Sequence, residues 1–381
     1  MSETLALYIH WPFCVSKCPY CDFNSHVRDA VDQDAWRAAL IADLRHEAAL
    51  LPGRTVTSIF FGGGTPSLMP PATVAAVIAE ATASWGLADD CEITLEANPN
   101  SVEVAAFADL AAAGVNRVSV GVQSFDADVL AFLGRAHSED EARRAIAVAQ
   151  EHFPRVSFDL IYARPGQTLA AWEGELSDAL GFGTGHLSLY QLTIEPGTRF
   201  WALAARGELV IPDGDAAADL FDATQAMTRA AGLPRYEVSN HARRGEESRH
   251  NLSYWRYGEY AGVGPGAHGR RLAQATERHR KPENFIAAVT RNGHGLKVES
   301  DLPAHERATE AMLMGLRLSE GVDLARIEAR CGLGREAFVD AGAATRLARQ
   351  GLMVADGDRL RVTDAGILLL DSILSEVVKT H

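Results

Sequence analysis

Over about its first 190 residues the chain alternates short apolar runs with longer segments that are rich in alanine. The apolar runs have the length and composition of β-strands, and they lie at residues 5–10, 56–61, 92–96, 117–120, 156–161 and 186–191. Segments with a helical pattern lie between them, at about residues 32–51, 71–85, 101–113, 138–151 and 168–181. Repeated strand-then-helix units predict an α/β fold, in which crossover helices connect the strands of a parallel sheet.

Residues with unusual chemistry follow the predicted strands. A group of three cysteines comes after the first strand, Gly62-Gly63-Gly64 after the second, and Glu96-Ala97-Asn98-Pro99 after the third. Gln123 follows the fourth strand, and Asp159 lies near the end of the fifth. Because the carboxyl ends of parallel strands share one edge of a sheet or barrel, we expect these residues to form the rim of a single site.

The pattern changes after about residue 230. Residues 236–282 are rich in glycine, arginine and aromatic side chains, and a second helical pattern begins near residue 303. It predicts helices at 303–318, 323–330 and 334–349, a hairpin at 351–362 with an Asp-Gly turn, and a final helix at 363–379. Three helices and a hairpin are typical of a small winged-helix-like domain. We therefore predict three regions: a parallel α/β core at 1–230, a segment at 231–300 that completes this core, and a C-terminal helical domain at 301–381.

Composition excludes several classes of protein. Among 381 residues, 47% are hydrophobic and the formal net charge is −14, so a general nucleic-acid-binding role is disfavoured. The chain has no apolar stretch of about 18 residues, and its first four residues lack the pattern of a secretory signal. We expect a soluble, cytoplasmic protein without a membrane span. Five cysteines are too few for a disulfide scaffold of this size.

The charge is unevenly distributed along the chain. Residues 229–281 carry 11 Lys/Arg and 5 Asp/Glu, together with four of the 13 histidines and several aromatic residues. A solvated basic loop explains the charge alone, and the coincidence with aromatic residues and histidines leaves a ligand-binding role open beside it. Single-stranded nucleic acid also suits basic and aromatic residues, but the acidic remainder of the chain disfavours it. The C-terminal region, with 10 basic and 12 acidic residues from 303 onward, favours a packing or interaction role over DNA binding.

The three clustered cysteines, Cys14, Cys18 and Cys21, have the strongest chemical signal. Thiolates on one short loop can hold a single inorganic centre. A structural zinc ion requires four protein ligands, and His26 is available as the fourth. A [4Fe–4S] cluster held by three cysteines leaves one iron open for an exogenous ligand. The location at the end of a predicted barrel strand favours the cluster, while Cys91 and Cys331 are expected to be buried packing residues.

The C-x3-C-x2-C pattern, with Tyr20 before the third cysteine, resembles the radical S-adenosylmethionine (SAM) superfamily. Phe61-Gly62-Gly63-Gly64-Thr65-Pro66-Ser67 resembles the GGGTP element by which that superfamily holds the methionine part of SAM. Longer strings, among them 8–14, 121–125, 133–137, 236–240 and 250–255, are similar to the HemW-type heme chaperones, which are relatives of oxygen-independent coproporphyrinogen III oxidase. The resemblance covers about residue 5 to the C-terminus and implies a partial (β/α)6 barrel followed by a C-terminal domain.

The resemblance also implies roles for individual residues. Cys14, Cys18 and Cys21 would bind a [4Fe–4S] cluster. The residues that would contact SAM lie in the cysteine loop and at the strand ends: Tyr8, Tyr20, Gly63, Gly64, Thr65, Glu96, Gln123, Arg135 and Asp159. The alternative for Glu96 and Asp159 is that each caps a helix or forms an ion pair, with Arg135 as one possible partner.

Heme is the ligand that the resemblance implies for the basic, aromatic segment. His250, Tyr254 and Trp255 belong to a His-Asn-x-x-Tyr-Trp string that is linked to heme binding in the family, and His250 is our hypothesis for the axial ligand. His268 is a rival ligand, and a purely structural role for all these side chains is the alternative. The family implies transfer of heme to an unidentified acceptor protein, and it is consistent with a homodimer.

Two positions depart from related patterns. The oxidase pattern has a fourth cysteine two residues after the third, where this chain has Phe23, so the sequence favours the chaperone over oxidative decarboxylation of coproporphyrinogen III. Ala163-Arg164 stands where the family usually has Gly-Leu. Near the site, Arg164 could alter contacts with the ligand, and the sequence does not predict in which direction.

Overall fold

A computed structural model describes residues 4–28 and 30–379. The expectation of no secretory signal rests largely on residues 1–3, which lie outside the described residues. Within the described part, no helix is long and apolar enough to cross a membrane.

The first half of the chain repeats the strand-then-helix unit. Its elements are, in order, β1 (Thr4–Trp11), β2 (Phe13–Cys14), β3 (His26–Val27), α1 (Gln33–Leu50), β4 (Thr55–Gly63), α2 (Pro71–Trp85), β5 (Leu87–Ala97), α3 (Ser101–Val104), α4 (Phe107–Ala112), β6 (Arg117–Gln123), α5 (Ala127–Phe132), α6 (Glu139–His152), β7 (Arg155–Tyr162), α7 (Leu169–Gly181) and β8 (His186–Gln191). All six predicted strands are confirmed, and local capping sets several helix starts. Ser138 and Glu141 form a capping box at α6, for example.

The second half has shorter elements. They are α8 (Arg199–Ala205), α9 (Gly214–Ala230), β9 (Arg235–Glu237), β10 (Asn240–Ala242), α10 (Arg249–Trp255), β11 (Tyr260–Val263), β12 (His268–Arg271), β13 (Gln274–Arg278), α11 (Pro282–Asn292), β14 (Leu296–Asp301), α12 (Ala304–Gly315), β15 (Val322–Asp323), α13 (Leu324–Cys331), α14 (Ala341–Arg349), β16 (Met353–Asp356), β17 (Arg359–Val362) and α15 (Leu370–Val377). Short 3-10 turns lie at Pro66–Leu68, Arg335–Ala337 and Ile367–Leu369.

In the described residues, twelve strands form one sheet in the order β14-β13-β12-β11-β1-β4-β5-β6-β7-β8-β10-β9. The neighbours from β11 to β8 are parallel, and both ends of the sheet continue with antiparallel strands. The fold class is therefore the predicted partial barrel. The strands β9 to β14 have no strong pattern in the sequence because they are short and mostly polar.

Alternation along the strands separates two surfaces. Leu7, Ile59, Leu95 and Phe158 are fully buried and belong to the main hydrophobic core, to which residues of the surrounding helices also contribute. The intervening positions, which include Tyr8, Glu96 and Asp159, face the inside of the partial barrel, because side chains alternate between the two faces of a sheet. The chemically unusual residues are thus inside the barrel, and the packing residues are outside it.

The C-terminal region has its own hydrophobic core, in which Met312, Phe338 and Val377 are fully buried. The predicted hairpin is confirmed as β16 and β17, and β15 adds to it in the order β15-β17-β16. The predicted helix at 334–349 is divided into a 3-10 turn and α14. Asp340 separates the two, since its carboxylate accepts a hydrogen bond from the Ala343 amide at 2.8 Å and caps the start of α14.

Candidate functional site

The cysteine loop leaves the carboxyl end of β1 and is closed at its base by the pairing of β2 with β3. All three thiols are partly exposed. Burial raises the pKa of Cys14 and of Cys21 above the ordinary range of a thiol, and the other cysteines add to this shift by electrostatic repulsion. The loop therefore brings the three sulfur atoms within electrostatic reach of one another.

Donor chemistry shows whether this loop fits a metal cluster. In the described part of the chain, no group of three or more His, Cys, Asp or Glu side chains is arranged to hold a metal ion as it stands. His26, the candidate fourth zinc ligand, instead hydrogen bonds through Nε2 to Asn24 Oδ1 at 3.3 Å. The donor set thus consists of three thiols without a fourth protein ligand, which fits a cluster with one open iron better than a closed zinc site.

The glycine segment lies directly against this loop. The Gly64 amide donates to Trp11 O at 2.7 Å and the Thr65 amide donates to Phe13 O at 2.8 Å. A Cβ atom at Gly64 would lie 2.7 Å from Phe13 O and 3.0 Å from Cys14 Sγ. Glycine is therefore required for the close approach of the two segments, which form a backbone-lined cradle beside the thiols.

A continuous set of hydrogen bonds connects two of the cysteines. Arg135 donates to Cys18 Sγ at 3.5 Å and to Asn98 Oδ1 at 2.5 Å. Asn98 Nδ2 donates to Thr65 Oγ1 at 3.1 Å, and the Thr65 hydroxyl donates to Cys14 Sγ at 3.5 Å. Asn98 was not among the predicted site residues, although it lies two positions after Glu96 in the string at the end of β5. The structure thus places Arg135 and Thr65, two of the predicted SAM contacts, against the cysteine loop.

Glu96 and Asp159 lie inside the barrel, where both carboxyls are removed from water. Burial raises the pKa of Glu96 to about 8, and repulsion from Asp159 adds to the shift. Burial also raises the pKa of Asp159 to about 6, although hydrogen bonds from Ser188 and Ser119 oppose the increase. Glu96 Oε2 accepts the Gly63 amide at 3.2 Å. Within residues 4–28 and 30–379, Glu96 neither caps a helix nor forms a close ion pair, and its environment is typical of a ligand-binding carboxyl group.

Three other predicted residues lie around the same rim. The Tyr8 hydroxyl hydrogen bonds to His10 Nδ1 at 3.0 Å. Gln123 has a backbone φ of 72°, which is the left-handed region that residues other than glycine rarely adopt. Strain of this kind persists at functional sites where the surroundings enforce it, which is consistent with the predicted role of Gln123. Tyr20 packs against Phe200, with ring centroids 6.3 Å apart.

Helix α10, which contains the His-Asn-x-x-Tyr-Trp string, presents its side chains to different surroundings. His250 is buried, hydrogen bonds through Nδ1 to Ser58 at 3.1 Å, and stacks on Phe60 with centroids 5.0 Å apart. Tyr254 lies next to His250, with centroids 6.1 Å apart. Trp255 instead lies under the Arg317 guanidinium and lines a cavity of about 290 Å³ against the C-terminal region. Its face differs from that of His250, so the structure does not bring the three predicted heme contacts to one surface.

The local surplus of positive charge is largely matched by carboxylates from elsewhere in the chain. Arg256 forms a two-bond ion pair with Glu320 at 2.7 and 2.8 Å, and Arg249 pairs with Asp90. Further pairs involve arginines of β9, β12 and β13: Arg235–Asp364, Arg270–Glu310, Arg271–Glu47 and Arg278–Asp43. Composition alone therefore overstates the cationic character of this segment. The rival ligand His268 is exposed on β12.

The expectation that Arg164 alters ligand contacts has no support in the structure. Its guanidinium is buried and donates to Ser124 Oγ at 2.7 Å and to Glu175 Oε2 at 2.5 Å. Glu175 belongs to α7, in the helical layer outside the sheet. A side chain that forms an ion pair with the outer layer contributes to packing behind the site. Cys91 and Cys331 are buried, as predicted.

Glu92 is a further residue that the sequence pattern did not single out. Its carboxylate is fully buried in β5 and pairs with Arg155 at 2.6 Å. It also accepts hydrogen bonds from the His250 amide at 3.2 Å and the Ser248 hydroxyl at 3.3 Å. Glu92 therefore fixes the start of α10 to the barrel. The sequence did contain a signal for Glu92. It lies in a strand of alternating pattern, and that alternation places its side chain on the inward face.

Comparisons with known proteins agree with this architecture. Residues 8–179 match the radical SAM superfamily model, and residues 302–369 match the HemN C-terminal domain model. The solved structure of coproporphyrinogen III oxidase (HemN) from Escherichia coli superimposes with a TM-score of 0.82, covering 98% of this chain and 90% of that one. At 24% identity this likeness shows the fold alone. Fold and cysteine loop are therefore those of a radical SAM protein.

Relatives of nearly the same length are more similar in sequence. Heme chaperone HemW of Escherichia coli is 39% identical, with 97% of each chain covered. Radical S-adenosyl methionine domain-containing protein 1, mitochondrial, of Mus musculus is 41% identical, covering 98% of this chain and 87% of the relative. Heme chaperone HemW of Haemophilus influenzae is 36% identical, with 97% of each chain covered. The chain belongs to the HemW family of radical SAM proteins.

Proposed function

We propose that this protein is a heme chaperone, which binds heme, a [4Fe–4S] cluster and SAM and transfers heme to an acceptor protein. The observation that carries the proposal is the contact between the thiol loop and the glycine cradle. Cys14, Cys18 and Cys21 would hold the cluster, and when bound it would supply an open iron for the amino and carboxylate groups of SAM. The names of the HemW relatives support heme as the cargo.

The residues that would contact SAM are those that surround the cradle. Gly63, Gly64 and Thr65 would approach its methionine part through the backbone. Arg135 would remain fixed by Asn98 and Gly121 O, to which it donates at 2.5 and 2.7 Å. The remaining proposed contacts face the barrel interior or the loop beside it: Tyr8, Tyr20, Glu96, Gln123 and Asp159.

Heme binding through His250 and Tyr254 is the part of the proposal that needs the most direct test. The His250 ring is held through Nδ1, so Nε2 is the ring nitrogen that it would present to iron. Burial lowers the pKa of His250 to about 4, so the neutral imidazole that iron binding requires is present at neutral pH. Trp255 would act through the neighbouring Tyr254 ring, 4.8 Å away between centroids.

Anaerobic reconstitution followed by hemin titration tests this function. We expect a brown protein that absorbs near 400 nm, contains iron rather than zinc, and binds hemin at micromolar concentration. His250→Ala should weaken hemin binding and shift the Soret band, and an unchanged affinity and band would remove His250 from the heme site. Failure of the parent protein to bind hemin would contradict the chaperone function itself.

The same preparation distinguishes the chaperone from an oxidase. The loaded protein is incubated with SAM, a reductant and coproporphyrinogen III, and a cluster-free sample serves as the control. Phe23 stands in place of a fourth cysteine and is 62% exposed, so we expect no vinyl-bearing product. Product above the control would establish the enzyme instead. The cytoplasmic location and the homodimer remain predictions, which cell fractionation and light scattering with and without the cluster would test.

A further inference from the structure

In the segment between the third cysteine and β3, Asn24 and Ser25 are less exposed than the residues before them. Val15, Ser16 and Lys17 at the start of the loop are exposed, as are Asp22 and Phe23 after the third cysteine. Asn24 is only partly exposed, and its side chain connects to parts of the chain more than 240 residues away. Asn24 therefore anchors the loop near Cys21. Neither the sequence pattern nor the cluster assignment explains this contact.

Asn24 makes four hydrogen bonds. Its Nδ2 atom donates to Pro265 O and to Arg280 O, both at 2.9 Å. Its Oδ1 atom hydrogen bonds to His26 Nε2 at 3.3 Å, and its backbone O accepts from His10 Nε2 at 2.9 Å. Since Pro265 O and Arg280 O require donors from one short side chain, an amide fits where a carboxylate or an alkyl group does not.

The turn that receives Asn24 is built for close contact. Gly266 has a φ of +81°, and a Cβ atom there would lie 2.4 Å from Asn24 Nδ2. Gly264 has a φ of +97°, and a Cβ atom there would lie 2.4 Å from His10 O. Only glycine accommodates both the backbone conformation and the approach at these two positions.

The same turn is anchored to a buried ion-pair network. The Gly264 amide donates to Asp43 Oδ2 at 3.1 Å, and Asp43 pairs with Arg278 at 3.2 Å. Arg278 also pairs with Glu47 at 2.6 Å, and all three charged side chains are fully buried. Because buried, mutually paired charges hold a fixed geometry, Asn24 is attached to a rigid part of the molecule.

We propose that Asn24 is a positioning residue for the cluster, which holds the Cys21 end of the loop against the turn at residues 264–266. This inference rests on the cluster assignment in the proposed function. In the part of the chain that the structure describes, Asn24 forms no hydrogen bond with a cysteine, so it acts through the loop backbone. It also joins the loop to the rim, because His10 connects Asn24 O to the Tyr8 hydroxyl.

Two variants and one matched control test the proposal. Asn24→Ala removes the whole amide, and Asn24→Asp keeps the size of the side chain but removes its two donated hydrogen bonds. Asn116→Ala is the control, because Asn116 makes a similar pair of bonds, to Cys91 O and from the Ile93 amide, both at 2.8 Å, away from the cysteine loop. Each protein is reconstituted, and the loss of absorbance near 400 nm is followed after addition of an iron chelator.

Both Asn24 variants should lose the cluster about tenfold faster than the parent, and Asn116→Ala should lose it at the parent rate. A second measurement uses cluster-free protein, in which amide hydrogen exchange over residues 21–26 should increase for the Asn24 variants only. Cluster loss within twofold of the parent, or equal acceleration by Asn116→Ala, would overturn the proposal. If the parent takes up no cluster, the proposed function fails, and unchanged exchange over residues 21–26 would then overturn the inference separately.

Discussion

Replacement of Glu96 by glutamine should stabilise the cluster-free, SAM-free protein, and the gain should increase with pH. The pKa of this buried carboxyl is about 8 in the folded protein, against 4.5 as its ordinary value. The folded state therefore holds the proton more tightly than the unfolded state does. The stability that goes with this proton is present below pH 4.5 and is lost as the pH rises through 8.

The difference between the two pKa values sets the size of the effect. One pKa unit corresponds to about 1.4 kcal/mol, so ionisation of Glu96 costs the folded protein below about 1 kcal/mol at pH 5 and about 4 kcal/mol at pH 8. Glutamine has the shape of the protonated carboxyl and cannot ionise. Glu96→Gln should therefore match the parent closely at pH 5 and exceed its free energy of unfolding by about 4 kcal/mol at pH 8.

Urea unfolding of both proteins at pH 5, 6.5 and 8 measures this difference. Glu80→Gln serves as the control, since Arg45 lowers the pKa of Glu80 at the protein surface and the substitution should cost no more than about 1 kcal/mol. A difference between Glu96→Gln and the parent that stays constant from pH 5 to pH 8 would refute the reasoning. SAM affinity of the loaded protein should fall in the variant, if this carboxyl binds the ligand.

Two further substitutions examine buried ion pairs. Glu92→Gln removes the charge that faces Arg155 and Arg117. In urea titration it should reduce the free energy of unfolding by about 3–5 kcal/mol. A loss below about 1 kcal/mol would show that the arginines find other partners. Arg164→Leu leaves the mostly buried Glu175 without its partner and should reduce the free energy of unfolding by about 3 kcal/mol. SAM affinity measured by calorimetry should be unchanged. A weaker affinity would indicate that Arg164 does contribute to ligand binding.

The strands of the barrel were predictable because each is a short segment, either apolar or alternating between apolar and polar residues, that lies between helical segments. The helix expected at 101–113 forms as two short helices, α3 and α4, since Asn100 caps the first and Ala105 and Ala106 separate them. The strands β9 to β14 were not predictable from local pattern, whereas the hairpin of β16 and β17 was. Most of β9 to β14 are polar, and their stability comes from partners far along the chain, such as the Arg271–Glu47 pair between β12 and α1.

The candidate site likewise contains residues that the sequence predicts and residues that it does not. Residues at strand ends, such as Glu96 and Asp159, were predictable because topology alone brings them to one rim. Asn98 and Asn24 were missed as site residues because their roles depend on hydrogen bonds to distant segments. In the basic, aromatic segment, composition indicated the residue types but not the orientation of their side chains. That orientation determines whether an arginine is free to bind a ligand or forms an ion pair with a carboxylate of the same chain.

Helix α10 has seven residues, yet neighbouring positions along it serve different parts of the molecule. His250 contacts the barrel interior, Trp255 contacts the C-terminal region, and Arg249 contacts the first half of β5 through Asp90. A substitution in α10 can therefore impair function through the loss of any of these three contacts, and a single activity measurement does not distinguish them. A substitution that displaces Trp255 from the C-terminal region would also disturb His250, because both side chains lie on the same short helix.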